Sequence, residues 1–394
     1  MTSISKAGVT GGIVLLLSSC GATLVPYQEA ELAPLAEVRG QAQWEVARAV
    51  ERAAVAYLEH NDVPGVQVAL RFGDFAYAGA YGHRDNRRSE FARVDDIHRV
   101  GSVTKTFTAV VVLSLAQEGR LSLDDPVAGW IDLPRAQGVT VRQLLNHTSG
   151  IPDYTERTLP NLGSALRPRR QWRPEQLLAR VRRQELLFEP GSRHAYSNTN
   201  YVALGMIAES VSGRSLSELY RERIIERAEL HDTWFLPYEE GPDTGRLVIG
   251  YDRDILPLGV QAVRPRNRSW LTYGYAAGAM VSTAADLVRF ADALFDGNLI
   301  DGRMRDQMTQ FIDAPDPDVP AQTGYGLGLR RLDSDGTLLI GHTGTTPGFG
   351  AVVMHAPGSD DTVAAVGNLS RLGSVELLQS VLDELRGASA WHAR

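Results

Sequence analysis

The stretch GSVTKTFTAVVVLSLA, residues 101–116, is the most informative part of this chain. Over 103–116 the side chains are apolar around nearly the whole helical circumference, which predicts a buried helix that ends at Gly119. Ser102 and Lys105 stand at its amino-terminal end, three positions apart. Residues i and i+3 share a helix face, so the hydroxyl and the amine are expected within hydrogen-bond reach. The stretch therefore predicts a nucleophile beside a base at the start of a core helix.

Lysine is almost absent from the chain, which makes this position informative. The two lysines are Lys6 and Lys105, and the other 38 basic residues are arginines. Arginine stays protonated at every relevant pH, whereas a buried lysine can lose its proton and then accept one. Burial in an apolar helix should lower the pKa of Lys105, and the helix N-terminus offers N–H groups where an oxyanion would form. The presence of lysine rather than arginine at position 105 therefore predicts that this side chain transfers protons.

The composition is that of a globular protein, and it excludes several function classes. The 394 residues are 43% hydrophobic and carry a formal charge of −7, and an acidic chain without a lysine-rich tract is a poor nucleic-acid binder. The single cysteine, Cys20, excludes a disulfide framework and a multi-thiolate metal site. The chain has no Gly-x-Ser-x-Gly elbow, no phosphate-binding loop and no histidine pair at i, i+4. No metal or organic cofactor is expected.

The amino-terminal segment is expected to direct export. Lys6 precedes an apolar run over 11–17 that is too short to span a bilayer, and Leu-Ser-Ser-Cys ends at Cys20. This ending resembles the lipobox of bacterial lipoproteins, which implies cleavage before Cys20 and its lipidation. Residues 1–19 are then a signal peptide and 20–38 a tether on the periplasmic side. Glycine rather than aspartate follows the cysteine, which favours outer-membrane anchoring. The alternative is an ordinary signal peptide with a chance cysteine.

Strand patterns lie at both ends of the remaining chain, with helices between them. Residues 66–70 alternate like a strand, and the turn at 72–74 leads into a second strand over 75–81, which makes a hairpin. Three further strands separated by Gly/Pro turns are predicted at the other end: 338–341, 351–355 and 362–366. Helices are expected over 41–59, 284–294 and 374–385. The predicted fold class is α/β (α+β), with one antiparallel sheet built from the N- and C-terminal strands and flanked by helices. A mostly helical lobe, roughly 120–285, is inserted between the strands of a single domain over 39–390.

Three short motifs follow one another along the chain: Ser102-Val103-Thr104-Lys105, Tyr196-Ser197-Asn198 and His342-Thr343-Gly344. They resemble, in order, the Ser-x-x-Lys, Tyr-x-Asn and Lys-Thr-Gly motifs of penicillin-recognising serine hydrolases, a family that includes class C β-lactamases and DD-carboxypeptidases. The third motif has the His-Thr-Gly form found among some DD-carboxypeptidases. The resemblance extends from about Val63 to Asn368 and implies a β-lactamase/transpeptidase-like fold.

The resemblance also implies a role for each motif residue. Ser102 would attack a carbonyl carbon, and Lys105 and Tyr196 would carry protons to and from the reacting groups. The N–H groups of Ser102 and Thr345 would form an oxyanion hole. The implied substrate-binding residues are Asn198, His342, Thr343, Gly344 and Thr345. Alternatively, Tyr196 is a core tyrosine and His342 a strand residue satisfied by a backbone carbonyl.

The third motif departs from the lysine that is usual in β-lactamases. His342 is mostly neutral at pH 7, so a substrate carboxylate would need another cation, and Arg330 or Arg331 is the candidate. The expected function is a serine hydrolase that forms an acyl-enzyme on Ser102, a D-alanyl-D-alanine carboxypeptidase-like peptidase acting on cell-wall peptides. Its partner is then a small-molecule or peptide acyl substrate. The alternatives are an esterase or class C-type β-lactamase of the same fold, and a non-catalytic peptide-binding lipoprotein, which the retained Lys105 disfavours.

Overall fold

The computed structural model describes residues 41–156, 167–242, 244–253, 260–264, 267–370, 372 and 374–387. The predicted signal peptide 1–19 and the tether 20–38 with Cys20 lie outside these ranges, so export and lipidation stay predictions. Among the described helices, none is both long enough and apolar enough to cross a membrane.

The secondary structure alternates short strands with helices along most of the chain. The α-helices are α1 (Gln41–Asn61), α2 (Thr104–Gln117), α3 (Val141–Leu145), α4 (Pro174–Leu178), α5 (Asn198–Ser212), α6 (Leu216–Tyr220), α7 (Arg268–Gly274), α8 (Ala284–Phe295), α9 (Gly302–Met308) and α10 (Ser374–Gly387). The strands are β1 (Gly65–Phe72), β2 (Phe75–Gly82), β3 (His98–Arg99), β4 (Trp234–Phe235), β5 (Gly250–Asp252), β6 (Gln261–Val263), β7 (Met280–Ser282), β8 (Ile312–Asp313), β9 (Gln322–Tyr325), β10 (Arg330–Ser334), β11 (Thr337–Thr346), β12 (Phe349–Ala356) and β13 (Asp361–Gly367).

Eight of these strands form one antiparallel sheet in the order β2-β1-β13-β12-β11-β10-β9-β8. Strand β1 pairs directly with β13, with Val66 opposite Gly367, so the amino-terminal hairpin lies beside the carboxy-terminal strands. This pairing confirms the predicted sheet and fold class. The sequence patterns did not predict β8, β9 and β10. Strand β10 is mostly polar and lacks an apolar alternation, and it joins the sheet through its pairing with β11.

The sheet separates two apolar cores. Val352 packs with residues of α1 and α10, whereas the next residue, Val353, packs with residues of α2 and α8. Successive side chains of a strand point to opposite faces, so β12 contributes to both cores. Helix α2 is buried from Thr104 to Leu115, as its all-round apolar sequence predicts, and the ring of its Phe107 stacks on that of Phe290 in α8 at 3.7 Å.

A small three-stranded sheet in the order β3-β7-β4 connects the central segment to the start of α2. The N–H of Val100, just before α2, donates to the carbonyl of Met280 at 3.1 Å. The Thr104 hydroxyl in turn accepts from the Met280 N–H at 3.1 Å. These bonds fix the turn between β3 and α2 against β7. The lobe boundaries at roughly 120 and 285 stay a prediction.

Candidate active site

Ser102 lies in a short 3₁₀ turn, Gly101–Val103, that leads directly into α2. The turn needs a glycine before the serine, because Gly101 has a φ of +49°. A Cβ at this position would also lie 2.8 Å from the carbonyl oxygen of Thr345 in β11. The half-buried Ser102 side chain is thus held between the start of a core helix and the end of a sheet strand.

The structure brings Lys105 into contact with the Ser102 hydroxyl. The Lys105 side chain is fully buried, and its Nζ lies 2.9 Å from Ser102 Oγ, 2.8 Å from Asn198 Oδ1 and 2.9 Å from the Ala277 carbonyl oxygen. Burial lowers the pKa of Lys105, because a charged amine is costly to desolvate, while Tyr196 and Asp153 act in the opposite direction. An amine with a lowered pKa beside a serine hydroxyl can serve as a base.

The ring of Tyr196 also lies close to the Lys105 amine. The centre of its ring is 4.8 Å from Lys105 Nζ and 4.3 Å from the centre of the His147 ring. Its hydroxyl is buried and makes no well-formed hydrogen bond to a described residue. Tyr196 acts against the effect of burial and raises the pKa of Lys105, so the two side chains lie close enough to influence one another electrostatically.

Asn198 is the first residue of α5, and an aspartate holds it in place. Its backbone N–H and its side-chain Nδ2 donate to Asp153 Oδ2 at 2.9 and 2.8 Å. The carboxylate therefore satisfies an unpaired N–H at the helix start and turns the amide so that Oδ1 faces Lys105. The sequence analysis missed Asp153, because it precedes the helix it caps by 45 residues and no motif marks it.

The structure buries His342 completely, and the residue does not line the cavity in front of Ser102 that is described below. This position corrects the expectation that His342 binds substrate. Its imidazole is fully buried, with Nδ1 at 2.6 Å from the Thr343 carbonyl oxygen and Nε2 at 2.9 Å from the Tyr325 hydroxyl. A carbonyl can only accept, so Nδ1 carries the proton and Nε2 accepts from Tyr325. Burial lowers the pKa of His342 well below its usual value, so the ring stays neutral.

The remaining residues of the third motif shape the space beside Ser102. A Cβ on Gly344 would lie 2.0 Å from the Val100 carbonyl oxygen and 3.1 Å from the Ser102 backbone nitrogen, so only glycine lets β11 approach the turn. Thr345 is exposed and lines the open cavity, whereas Thr343 is buried. A Cβ on Gly101 would likewise lie 3.0 Å from the Thr345 backbone nitrogen, so both backbone nitrogens lie near the contact between the turn and β11.

An open cavity of about 320 Å³ lies in front of Ser102. Three aromatic residues missed by the sequence analysis form one wall: Tyr154, Trp270 and Tyr273. The other lining residues are Gly101, Ser102, Thr155, Asn198, Gly274, Ala277, Gly278, Thr345, Thr346 and Pro347. Among the described lining residues there is no lysine, arginine, aspartate or glutamate. The described lining therefore offers hydroxyl, amide and aromatic groups, and none of its side chains is charged.

Neither arginine expected to bind a substrate carboxylate reaches this cavity. Arg330 is 5% exposed and donates to Asp316 Oδ2 at 2.9 Å and to Gln322. Arg331 lies in β10 with a partly exposed side chain, whose Nε donates to Thr323 Oγ1 at 3.0 Å. Both guanidinium groups are thus engaged with other side chains. In the part of the chain that the structure describes, no group of three His, Cys, Asp or Glu side chains could hold a metal ion.

Comparison with known proteins identifies the family. A profile described as Beta-lactamase matches residues 50–381. The chain belongs to the beta-lactamase family. It is 26% identical to Penicillin-binding protein 4* of Bacillus subtilis, over 75% of this chain and 66% of that protein, and 29% identical to D-aminopeptidase of Brucella anthropi, over 74% and 53%. This beta-lactamase-family chain thus spans about half to two thirds of the length of these curated relatives.

The fold agrees with the same assignment. The structure of D-amino acid amidase from Ochrobactrum anthropi SV3 superposes with a TM-score of 0.79 at 28% sequence identity, covering 87% of this chain and 99% of that chain. The beta-lactamase-family fold and its amidase and aminopeptidase relatives make this protein a serine hydrolase. The expected membership of the penicillin-binding-protein and β-lactamase family is confirmed.

Proposed function

We propose that this protein hydrolyses amide bonds through an acyl-enzyme on Ser102. The contact that carries the proposal is the 2.9 Å distance between Lys105 Nζ and Ser102 Oγ, at a lysine whose pKa burial lowers. The neutral amine takes the hydroxyl proton while Oγ bonds to the substrate carbonyl carbon. The N–H groups of Ser102 and Thr345 stabilise the oxyanion.

Tyr196 completes the cycle. When the tetrahedral intermediate collapses, the carbon–nitrogen bond breaks and the leaving nitrogen takes a proton from the Lys105–Tyr196 pair. Water then attacks the acyl-enzyme, loses a proton to the same pair and releases the acid, and Ser102 regains its proton. Asn198, oriented by Asp153, is placed to contact an amide of the substrate beside the reacting carbonyl.

The walls of the cavity favour a substrate that has no carboxylate near the scissile bond. Its described lining is uncharged, and its aromatic side fits an apolar or aromatic acyl residue. D-aminopeptidase and D-amino acid amidase are among the similar proteins, so we propose amides, including carboxamide-terminated short peptides, with an acyl residue of D configuration. The leaving group is then ammonia or an amine that carries no carboxylate.

A D-alanyl-D-alanine carboxypeptidase is the second candidate, supported by the similarity to Penicillin-binding protein 4*. Its acyl residue would also be of D configuration, but its leaving D-alanine carries a carboxylate. The two candidates thus differ in the charge of the leaving group. We rank the amidase-type activity first, because the described residues that line the cavity are uncharged and offer no partner for a carboxylate.

The decisive experiment follows the intact mass of the protein over time with D-phenylalanine amide, L-phenylalanine amide, a D-Ala-D-Ala peptide and benzylpenicillin. We expect turnover of the D-amide and an acyl adduct that Ser102→Ala abolishes, whereas Ser380→Ala, on the far side of the molecule in α10, retains both. Faster cleavage of the D-Ala-D-Ala peptide would replace the first candidate with the second. Turnover that survives Ser102→Ala would refute the acyl-enzyme itself.

The lipid anchor is a separate proposal that rests on the sequence motif alone. We expect Cys20 to become the lipidated first residue of an exported protein facing the periplasm. Fractionation of cells that express the full chain tests this expectation, because Cys20→Ser should move the protein from the membrane fraction to the soluble fraction. Unchanged membrane association of Cys20→Ser would contradict it.

A further inference from the structure

Arg330 lies beside Tyr196 and is not among the described residues that line the cavity. Its guanidinium carbon is 5.1 Å from the centre of the Tyr196 ring and 6.0 Å from that of Tyr325. Lys105 Nζ is 4.8 Å from the same Tyr196 ring centre. The guanidinium and the amine therefore both lie close to the same tyrosine ring, near enough to act on one another electrostatically.

The guanidinium is held rigidly and is buried. Its Nη1 donates to Asp316 and to Gln322 of β9, whereas its Nε makes no hydrogen bond to a described residue. Arginine remains charged in such surroundings. A buried ion pair seldom stabilises a fold more than apolar side chains of similar volume would. Stability alone thus gives a weak reason for an arginine at this position.

The groups that face Tyr196 come from every neighbouring element. Those in contact with its ring are Lys105 of α2, His147 after α3, Tyr325 of β9, Arg330 of β10 and His342 of β11. One step further out, Tyr201 of α5 packs on His147, His194 on Tyr325, Asp316 pairs with Arg330 and Asp153 bonds to Asn198. Burial lowers the pKa of all three histidines, that of His194 to about 4, so they are neutral near pH 7. Among these described groups, Arg330 is the cation that persists at every pH.

We propose that Arg330 is a positioning residue for the Lys105–Tyr196 pair, a fixed positive charge held beside the Tyr196 ring. A second cation in this neighbourhood disfavours the protonated amine of Lys105 and so lowers its pKa. Arg330 acts through these two groups and does not touch the substrate. The inference rests on the proposed acyl-transfer function and gives Arg330 a role other than binding a carboxylate. Asp316 partly offsets this charge, so the pair Arg330–Asp316 sets how strongly the base is activated.

The test uses a fluorophosphonate probe, which needs no knowledge of the substrate. Ser102 Oγ bonds to phosphorus, fluoride leaves, and the hydroxyl proton passes to the base, so the labelling rate reports the deprotonated base. We expect Arg330→Gln to move the acid limb of the pH–rate profile up by about one pH unit, with the alkaline plateau retained. Asp316→Asn should move the acid limb to lower pH. Arg330→Lys keeps the positive charge, so its acid limb should lie where that of the unaltered protein does, and Arg331→Gln should leave the acid limb in place.

Two results would overturn the inference. One is an Arg330→Gln protein that folds, by its thermal unfolding, but loses labelling equally at all pH values. The other is an unchanged profile combined with a raised KM confined to substrates that carry a carboxylate, which would make Arg330 a substrate ligand. A different result would contradict the proposed function. Labelling that persists in Ser102→Ala would show that Ser102 is not the nucleophile, independently of the role of Arg330.

Discussion

Replacement of Gly344 by alanine tests whether the contact between β11 and the Ser102 turn builds the oxyanion hole. The new Cβ would lie 2.0 Å from the Val100 carbonyl oxygen and 3.1 Å from the Ser102 nitrogen. A carbon and an oxygen need roughly 3.4 Å in ordinary contact, so strand and turn must separate by more than about 1 Å. Misplacement by 1 Å, or loss of one oxyanion donor, lowers kcat about 10²-fold or more.

The assay compares kcat and KM of Gly344→Ala with those of the unaltered protein, on whichever amide it turns over. We expect kcat to fall about 100-fold with a small change in KM, because the lost interaction acts on the transition state. Thermal unfolding should show a loss of about 1–3 kcal/mol from overpacking. Gly138→Ala is the control, since its Cβ would meet no atom within 4 Å. A Gly344→Ala protein with kcat within threefold of normal would refute the reasoning.

Two further predictions concern titratable groups. Lys105→Arg should lower the acylation rate at least about 10²-fold, because arginine cannot give up its proton, and a rate unchanged by this substitution would remove the basis for proton transfer. Acid should destabilise the fold through buried His98, whose pKa burial lowers to about 4 from about 6.5 in the unfolded chain. Its contribution is present above pH 6.5 and is lost as the pH falls towards 4, since the unfolded state binds the proton more readily. Thermal unfolding between pH 7 and 4 should therefore show a falling Tm, and His98→Gln should reduce that slope.

The sequence predicts the sheet well where apolar residues cluster between turns. Strands β1, β2, β12 and β13 contribute apolar side chains to both cores, so they read as short, largely apolar runs. Strand β10 is held by backbone pairing to β11 instead, and its side chains make ion pairs and hydrogen bonds. Such a strand leaves no apolar signature, which is why the sheet is wider than the patterns indicate.

Parts of the site that depend on local spacing were also accessible from the sequence. Ser102 and Lys105 meet because three residues separate them on one helix. The residues that the sequence could not place act across long separations: Asp153 on Asn198 and Arg330 on Tyr196. Their partners are set by tertiary packing, so a carboxylate in a loop and an arginine in a polar strand carry no recognisable pattern.

The positions of the charged side chains explain how this site can activate a serine although the described residues that line its cavity are uncharged. His342 is neutral because it is buried, and Arg330 lies beside Tyr196 and is not among the described residues that line the cavity. The permanent cation therefore acts on the base rather than on the substrate. Selection then depends on the shape of the aromatic wall, and a single lysine in the cavity lining, for example Thr345→Lys, should shift preference towards leaving groups that carry a carboxylate.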